Sequence, residues 1–554
     1  MSGAPGTAAS WRAYALVAPA LAVIGGFFVL PLVMSAVLAF RDKAGAFTLE
    51  HFAKAWDLYR TDFLFTIGIT LLSTVLIGLV AIAISGYLTL GENPRTVAIL
   101  RWLYRWPLFI PFIVTGQVMR TFLAKNGMLN HVLIGSGLME PLAAQSMLDW
   151  RGIVVAFVWK QAPFVTLLLA GAMASIETQH VEAARNLGAP RMRVLLDIVI
   201  PQVRGTLLVG LVLSFVTMLS VLSVPLMINP NSPTMITVDI AYRINTHSDY
   251  AVANALPDVA AGRRGGGMAV SAPRGETTRA TMTEAHTPRW SSRLASAALL
   301  GLVAFVIFGP LLNLFLWAFA EQWYFPHKLP QQFGFTFWAR VFQPRGNAIA
   351  SLATSIWIAL LTVVTSLAVA IPAGYALARL KLRWRGLILL AFLLPQAVPN
   401  IPVYVNIARI FYELGLNGTI LGVVMVHAAH GLVLAVWIAS AAFASIDASL
   451  EEASRNLGAS PWTCFRTVTL PLALPGLIAS AIFVFLESLD EFTGTYFVGV
   501  PDVTTLPLLM FNASMGGNYQ IASITALLLL VPSIAFMLVV ERFLKADVLA
   551  MVGR

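Results

Sequence analysis

Long apolar runs constrain the fold of this chain more than any other feature of its sequence. A helix that crosses a membrane needs about 20 mostly apolar residues, and the sequence contains eleven such runs. The first half has five, at Ala13–Phe40, Phe63–Leu90, about Ile99–Ala124, Gly152–Ile176 and Gly205–Ile228. The second half has six, at Leu294–Ala320, Ala350–Ala378, Gly386–Ile407, Ile420–Ile446, Pro475–Gly499 and Tyr519–Val540. We therefore predict an all-α polytopic membrane protein, which also fits a content of only 11% charged residues.

Basic residues predict which loops face the cytoplasm. The chain has 36 Lys and Arg residues against 26 Asp and Glu residues, and in membrane proteins such an excess collects in cytoplasmic loops. Three of them, Arg95, Arg101 and Arg105, follow the second run of the first half. Four more follow the second run of the second half, namely Arg379, Lys381, Arg383 and Arg385. We interpret the excess as a topology signal in a lipid bilayer, not as a nucleic-acid surface. The lone Cys464 excludes an internal disulfide.

The chain contains an internal repeat. Glu182-Ala-Ala-Arg-Asn-Leu-Gly188-Ala recurs as Glu452-Ala-Ser-Arg-Asn-Leu-Gly458-Ala, and the match extends to a Pro in each copy. Both copies follow the fourth apolar run of their half, so they are expected on the same side of the membrane. The sequence therefore predicts two parallel copies of one membrane unit.

The repeated segment predicts a helix–turn–helix. The residues before each glycine are strong helix formers. Gly188 and Gly458 permit the left-handed backbone that ends a helix, and Pro190 or Pro461 can start the next one. The position after the fourth run places this element on the cytoplasmic side.

This segment resembles the signature loop of the membrane subunits of ATP-binding-cassette (ABC) importers. The resemblance implies two copies of the type I importer permease fold in the cell inner membrane. It also implies two ABC ATPase subunits and a periplasmic substrate-binding protein as partners. In that family the loop is the coupling helix that contacts the ATPase. The positions that correspond here are Glu182, Ala183, Ala184, Gly188 and Pro201, and Glu452, Ala453, Gly458 and Pro471.

The sequence contains no motif for ATP hydrolysis. The chain has no Gly-x-x-x-x-Gly-Lys-Ser/Thr phosphate loop, so we expect ATP to be hydrolysed by separate subunits. No catalytic residue, metal site or cofactor is predicted. A different class, an ion-driven secondary transporter, is also built from repeats, but it gives no reason for two coupling loops.

The ends of the two halves differ, which defines the predicted domains. In the second half Asn518-Tyr519 leads into a sixth apolar run, whereas Asp249-Tyr250 leads into a stretch rich in Gly, Ala and Arg. We predict a first permease unit at 1–256 without a sixth span, a low-complexity linker at 257–290 and a second unit at 291–554. Two origins fit: a frameshift that joined neighbouring genes, or a natural fusion with a flexible linker. Five crossings would leave the linker outside, whereas its basic residues favour the cytoplasm.

Three acidic residues in the last run but one point to the substrate. Glu487, Asp490 and Glu491 have the i, i+3, i+4 spacing of one helix face, and charged groups inside a span are functional candidates. The segment from Phe485 to Phe492 is similar to one in permeases of the spermidine/putrescine group, which implies a polyamine. Sugar, ferric ion and phosphonate are alternatives, and the acids could instead bond to basic residues such as Lys160 or to neighbouring helices.

Other polar residues lie in the fourth runs of the two halves. Lys160 and His430 occupy equivalent places, with His427 one turn earlier, and we assign them to the substrate pathway or to interhelical hydrogen bonds. Two histidines without a neighbouring carboxylate or thiol do not predict a metal site. Bends are expected in the third runs, at Pro107, Pro111, Pro395 and Pro399.

Overall fold

The computed structural model describes residues 7–42, 44–247, 249–261, 290–324, 327, 329–397 and 400–544. The first half forms α1 (Thr7–Ile24), α2 (Leu30–Ala39), α3 (Glu50–Leu90), α4 (Pro94–Leu103), α5 (Phe112–Phe122), α6 (Met128–Gly135), α7 (Trp150–Ala174), α8 (Thr178–Asn186), α9 (Arg191–Arg193), α10 (Ile200–Ser220), α11 (Ser223–Ile228), α12 (Ile236–His247) and α13 (Tyr250–Ala261). The second half forms α14 (Trp290–Phe319), α15 (Thr336–Phe342), α16 (Ala348–Arg379), α17 (Arg385–Ala397), α18 (Asn400–Glu413), α19 (Ile420–Ala444), α20 (Ala448–Asn456), α21 (Pro461–Cys464), α22 (Leu470–Asp490), α23 (Thr493–Val498), α24 (Leu506–Met515) and α25 (Tyr519–Leu544). Two short antiparallel strands, β1 (Ala320–Gln322) and β2 (Gln332–Phe333), lie between α14 and α15.

Ten of the eleven predicted apolar runs correspond to candidate spans of the structure. Within the described residues, eight helices are long and apolar enough to cross a membrane, and two bent helix pairs raise the number to ten. The eleventh run forms α25, which has 26 residues. Its first-half counterpart α13 is described over 12 residues, and residues 262–289 of the predicted linker lie outside the described residues. The proposed boundaries of the linker remain a prediction.

The third span of each half is broken. α4 and its following 3-10 turn meet α5 at 106°, with Pro107 and Pro111 at the break. α17 and α18 meet at 84° just after Pro395, while Pro399 lies outside the described residues. Ile99–Ala124 and Gly386–Ile407 are therefore not straight spans, because proline removes a backbone donor and clashes with the preceding turn.

The fifth spans also differ from the predicted runs. Each begins earlier, in a short helix and a π-helical turn (Val194–Val199 or Phe465–Thr469), and continues without a break into α10 or α22. Each then ends before the predicted limit, at Ser220 or Asp490, and a separate short helix follows. Apolarity alone could not locate these ends, since the short helices α11 and α23 are apolar too.

One compact unit combines segments of both halves: Met1–Leu58, Asp239–Val259 and Ala339–Ala513, here called unit 1. In it α1 packs against α16, and the contact uses small or branched side chains that are fully buried, such as Ala20 and Ala373. Small residues let membrane helices approach closely. A buried polar cluster adds to this, because Ser35 and Asn406 donate to the side-chain oxygen of Asn254 at 3.0 and 2.8 Å.

The other compact unit, unit 2, comprises Tyr59–Val238, Ala260–Trp338 and Ser514–Arg554. In it α14 packs against α5 and α25. Asn313 donates to Thr121 Oγ1 at 2.9 Å, and the Trp159 indole donates to the Val306 carbonyl at 2.9 Å. Each unit thus contains the first span of the other half, so the halves exchange their first spans.

Candidate functional site

The two repeated loops have the same backbone geometry. α8 and α20 each end at a glycine with positive φ, +80° at Gly188 and +88° at Gly458. At both turns the glycine N–H donates back into the helix, to the carbonyl of Arg185 or Arg455 at 2.9 Å. This is the left-handed helix ending that the sequence predicts. The spacing in each loop therefore produces a helix–turn–helix.

The residues that follow each turn start the next helix. Pro190 caps α9, whereas α21 begins at Pro461 and is capped by Ser460, whose hydroxyl accepts from Thr463 N at 3.1 Å. Pro201 and Pro471 are the second residues of α10 and α22, directly after the π-helical turns of the fifth spans.

The first helix of each loop presents a small flat surface to solvent. Glu182 and Ala183 are exposed on α8, and Glu452 and Ala453 are exposed on α20, while Ala184 is half-buried. These are the residues that the family resemblance assigns to the ATPase contact, and all but Ala184 are accessible.

Apolar side chains beside each turn were missed from the sequence. Leu187 and Leu457, which directly precede the glycines, are 89% and 90% exposed. Met192 and Trp462 on the following helices are also exposed. The sequence could have indicated them, because a large apolar residue occurs at both positions in each copy of the repeat. Exposed apolar groups at equivalent points of two loops are typical of a protein contact surface.

The second loop is held by a buried ion pair. Glu451, on α20, lies with Oε1 3.4 Å from Nε of Arg379 at the end of α16, and both side chains are largely buried. Glu451 Oε1 also accepts from Thr469 at 2.9 Å, and its Oε2 is 3.2 Å from Arg455. Glu451 thus ties the loop to the second and fifth spans of its half.

The first loop is held by exposed ion pairs in which the arginines lie on the loop and the acid lies outside it. Glu92, between α3 and α4, contacts Arg185 at 2.8 Å and also Arg191. The hydrogen bond from Arg191, followed by the charges of both arginines, lowers the pKa of Glu92. A carboxyl group whose pKa is lower in the folded state stabilises the fold at any pH above its unfolded pKa. This stabilisation is lost as the pH falls through the folded pKa. The contact is therefore complete at neutral pH.

The three acidic residues lie together at the C-terminal end of α22. Glu487 and Asp490 lie on the last turn of α22, but Glu491 has an extended backbone (φ −69°, ψ 104°) and ends the helix. Its carboxylate accepts from Gly494 N at 2.7 Å and from the Tyr404 hydroxyl at 3.4 Å. Glu491 therefore stabilises the turn into α23.

The two histidines contact the same part of α22. His430 Nε2 lies 3.1 Å from Glu487 Oε1. The other oxygen, Oε2, is buried and has no hydrogen-bond partner among the described residues. His427 bonds to Ser488 Oγ at 2.8 Å and Thr495 Oγ1 at 2.9 Å, which are interhelical hydrogen bonds.

Lys160 lies at the break of the third span in its half. Its ammonium donates to the carbonyls of Pro107 and Leu108 at 3.1 Å, and to that of Ile110. The Pro107 carbonyl also accepts from Ile110 N at 3.3 Å, and Lys160 adds a donor to all three backbone carbonyls at the bend.

Comparison with known proteins agrees with this geometry. A family model described as binding-protein-dependent transport system inner membrane component matches twice, at residues 78–262 and 370–546. The chain belongs to this family. Its relatives are permease components of ABC transporters. The predicted resemblance, the duplicated type I permease fold and the multi-pass inner-membrane location are confirmed.

Three relatives illustrate the range of this permease family. A probable ABC transporter permease from Sinorhizobium fredii is 30% identical, covering 34% of this chain and 68% of the relative. A putative 2-aminoethylphosphonate transport system permease from Salmonella choleraesuis is 29% identical, covering 47% and 98%. The putrescine transport system permease PotI of Escherichia coli is 34% identical, covering 21% and 47%.

A solved bacterial ABC transporter involved in alginate import has a chain that is 21% identical to this permease. The similarity covers 48% of this chain and 100% of that chain, with a TM-score of 0.38. The family membership rests on the sequence match.

We predict that the two ion pairs contribute unequally to the stability of the permease. Glu451→Gln leaves the buried Arg379 without its charge partner and should cost about 3–5 kcal/mol. Glu92→Gln breaks an exposed pair and should cost less than about 1 kcal/mol. Thermal unfolding of the purified full chain in detergent measures both. Equal midpoints for the two variants would contradict the structural difference.

We predict that both loops of the permease face the cytoplasm. The natural Cys464 is a poor label site, because it is only 4% exposed and donates to the Glu451 carbonyl at 3.7 Å. Leu187→Cys and Leu457→Cys, each in a Cys464→Ser background, should react with a membrane-impermeant maleimide only in inside-out vesicles. The background alone is the control, and labelling of Leu457→Cys in right-side-out vesicles would mean an inverted second half.

Proposed function

We propose that this chain is the transmembrane permease of an ATP-driven importer, which receives a small polar solute from a periplasmic binding protein. Two separate ABC ATPase subunits would bind the two loops and hydrolyse ATP. The observation that carries this is the duplicated loop, with its left-handed glycine and exposed leucine in both copies. Membership of the permease family supports the same partners.

The fifth spans offer a direct mechanical link from these loops into the membrane. In the second half one continuous rod of 30 residues runs from Pro461, beside the turn, to Asp490. A displacement of the loop by an ATPase would therefore move the acidic end of the same rod. Such movements in both halves would open the pathway alternately to the two sides of the membrane.

We propose a substrate that carries a primary ammonium group, with a polyamine such as spermidine or putrescine favoured. Glu487 supports this, because one of its oxygens is buried without a hydrogen-bond partner among the described residues, and Asp490 lies one turn away. The similarity to a putrescine permease adds weight. Glu491 contributes less, since its carboxylate already bonds to Gly494 and Tyr404.

An aminophosphonate is the second candidate substrate. The relative named for 2-aminoethylphosphonate transport matches over 98% of its length, whereas the putrescine permease matches over 47%. Both named solutes contain an ammonium group, which a carboxylate can bind. The phosphonate group would require a basic partner in addition.

We predict that Gly188→Val and Gly458→Val uncouple ATP hydrolysis from uptake. A Cβ at either glycine meets no atom within 4 Å, so the effect comes from the left-handed backbone, which costs an L-residue roughly 1–2 kcal/mol. Uptake by the assembled transporter should fall several-fold while basal ATPase activity persists. Gly→Asn variants at the same positions are the controls, because Asn tolerates this conformation. Unchanged uptake in both Val variants would contradict the coupling role.

We predict that a binding protein loaded with spermidine raises ATPase activity of the assembled transporter, and that Glu487→Gln reduces this response. Glu413→Gln is the matched control, because Glu413 is exposed and pairs with Arg409 on its own helix. A response to 2-aminoethylphosphonate without one to spermidine would replace the polyamine by the aminophosphonate. No response to either amine would remove both substrates.

A further inference from the structure

The segment between α16 and α17 turns its side chains alternately inward and outward. α16 ends at Arg379, and the next residue, Leu380, has an extended backbone (φ −101°, ψ 150°). In an extended chain successive side chains point to opposite sides. Leu382 is buried in a hydrophobic cluster of unit 1, whereas Lys381 and Arg383 on either side of it are exposed. The buried leucine thus holds a segment that displays two cations on its outer side.

A third cation and a tryptophan complete this exposed surface. Arg385 begins α17 and is exposed, and Trp384 is 55% exposed. The guanidinium carbon of Arg383 lies 5.5 Å from the Trp384 ring centroid, within the range of a cation–π contact. We call Lys381, Arg383, Trp384 and Arg385 the basic patch.

The charge of the basic patch has no acidic counterpart nearby. Its three cations form no ion pair within the described part of the chain. The sequence from 380 to 397 contains no Asp or Glu. The corresponding loop of the first half differs, because it contains Glu92, which pairs with Arg185 and Arg191. The basic patch is therefore a surface that can accept anions from outside the chain.

α17 continues the patch into an apolar surface. Leu387, Leu390 and Leu394 are 58%, 62% and 37% exposed, and their spacing places them on one helix face. Ile388 and Phe392 of the same helix are buried. Exposed leucines in series along a helix of a membrane protein face the acyl chains of lipids. The first of them follows the patch by two residues, or about 3 Å along the helix axis, so the patch lies at the depth of the lipid headgroups.

Contacts of Arg379 give the side of the membrane. Its guanidinium donates to the Ile446 carbonyl, just before the second repeated loop, and pairs with Glu451 on that loop. The basic patch begins two residues after Arg379 and so lies on the same side as the loop. Because the repeated loops are expected in the cytoplasm, the patch faces the cytoplasmic leaflet.

We propose that the basic patch binds the headgroups of anionic glycerophospholipids in the cytoplasmic leaflet. Arginine suits a phosphate, since its planar fork can form two parallel hydrogen bonds, and Trp384 suits the headgroup level, where tryptophan is enriched. The acyl chains of the bound lipid would lie along the exposed leucines of α17. The proposal does not depend on the identity of the transported solute.

Fluorescence quenching of the full chain in lipid nanodiscs tests this. Leu387→Cys, in a Cys464→Ser background, carries a bimane dye on the first exposed leucine of α17. The nanodiscs contain phosphatidylglycerol or phosphatidylcholine at equal mole fraction, each with the same doxyl quencher high on its acyl chain. Phosphatidylglycerol should quench the dye more strongly. Leu421→Cys is the control site, because Leu421 is exposed in the first turn of α19, at the opposite end of the spans, and both lipids should quench it equally.

The cations have their own arm of the experiment. Lys381→Gln, Arg383→Gln and Arg385→Gln should each lower the relative affinity for phosphatidylglycerol at the Leu387→Cys dye about fivefold, the effect expected for one basic residue at an anionic membrane surface. The three together should abolish the preference. Arg409→Gln is the matched control, because Arg409 pairs with Glu413 near the other end of the third span, and it should leave the preference unchanged.

Three results would overturn the proposal. Equal quenching of the Leu387→Cys dye by the two lipids would mean that the patch does not select anionic lipid, and this comparison decides even if a Gln variant folds poorly. A preference that survives in the triple variant would assign it to other residues. Loss of the preference when ATPase subunits are added would mean that the ATPase, and not lipid, covers the patch in the assembled transporter.

Discussion

Backbone groups at membrane depth need hydrogen-bond partners inside the protein, and this constraint shapes the whole structure. Helices satisfy it within each span. Where a span breaks, a charged side chain takes over: Lys160 binds the carbonyls at the bend between α4 and α5, and Glu491 binds the amide of Gly494 after α22. Lys160 and Glu491, both predicted in the substrate pathway, thus satisfy backbone groups in the structure.

The two repeated loops have the same backbone geometry but are attached to the spans differently. In the first half the acid stands between the spans and the arginines on the loop, whereas in the second half Arg379 ends a span and Glu451 lies on the loop. The exposed pair is weakened by salt, while the buried one is screened much less. Both copies keep the left-handed glycine turn, whereas the ion pairs that attach the loops to the spans differ.

The sequence predicts features that depend on neighbouring residues, but not contacts between residues far apart in the chain. The helix ends at Gly188 and Gly458 follow from residue type, because few residues adopt a left-handed backbone. The end of α22 at Asp490 could not be foreseen, since it falls inside the predicted run Pro475–Gly499. The pairing of Arg379 with Glu451 joins residues 72 positions apart, and no spacing rule covers such a contact. The exchange of first spans was hidden for the same reason, because every span has a similar apolar face.

The exchange of first spans has a consequence for biogenesis. α1 leaves the ribosome before α16, on which it packs in unit 1, and Ala373 of α16 belongs to the same buried cluster as α1. At about 5–20 residues per second, roughly 20–70 s of synthesis separate the two. During that interval α1 is in the bilayer without its partner, and its apolar surface must be covered by lipid or by the insertion machinery. Joining both halves in one polypeptide ensures that the awaited helix arrives on the same chain, without a search through the membrane.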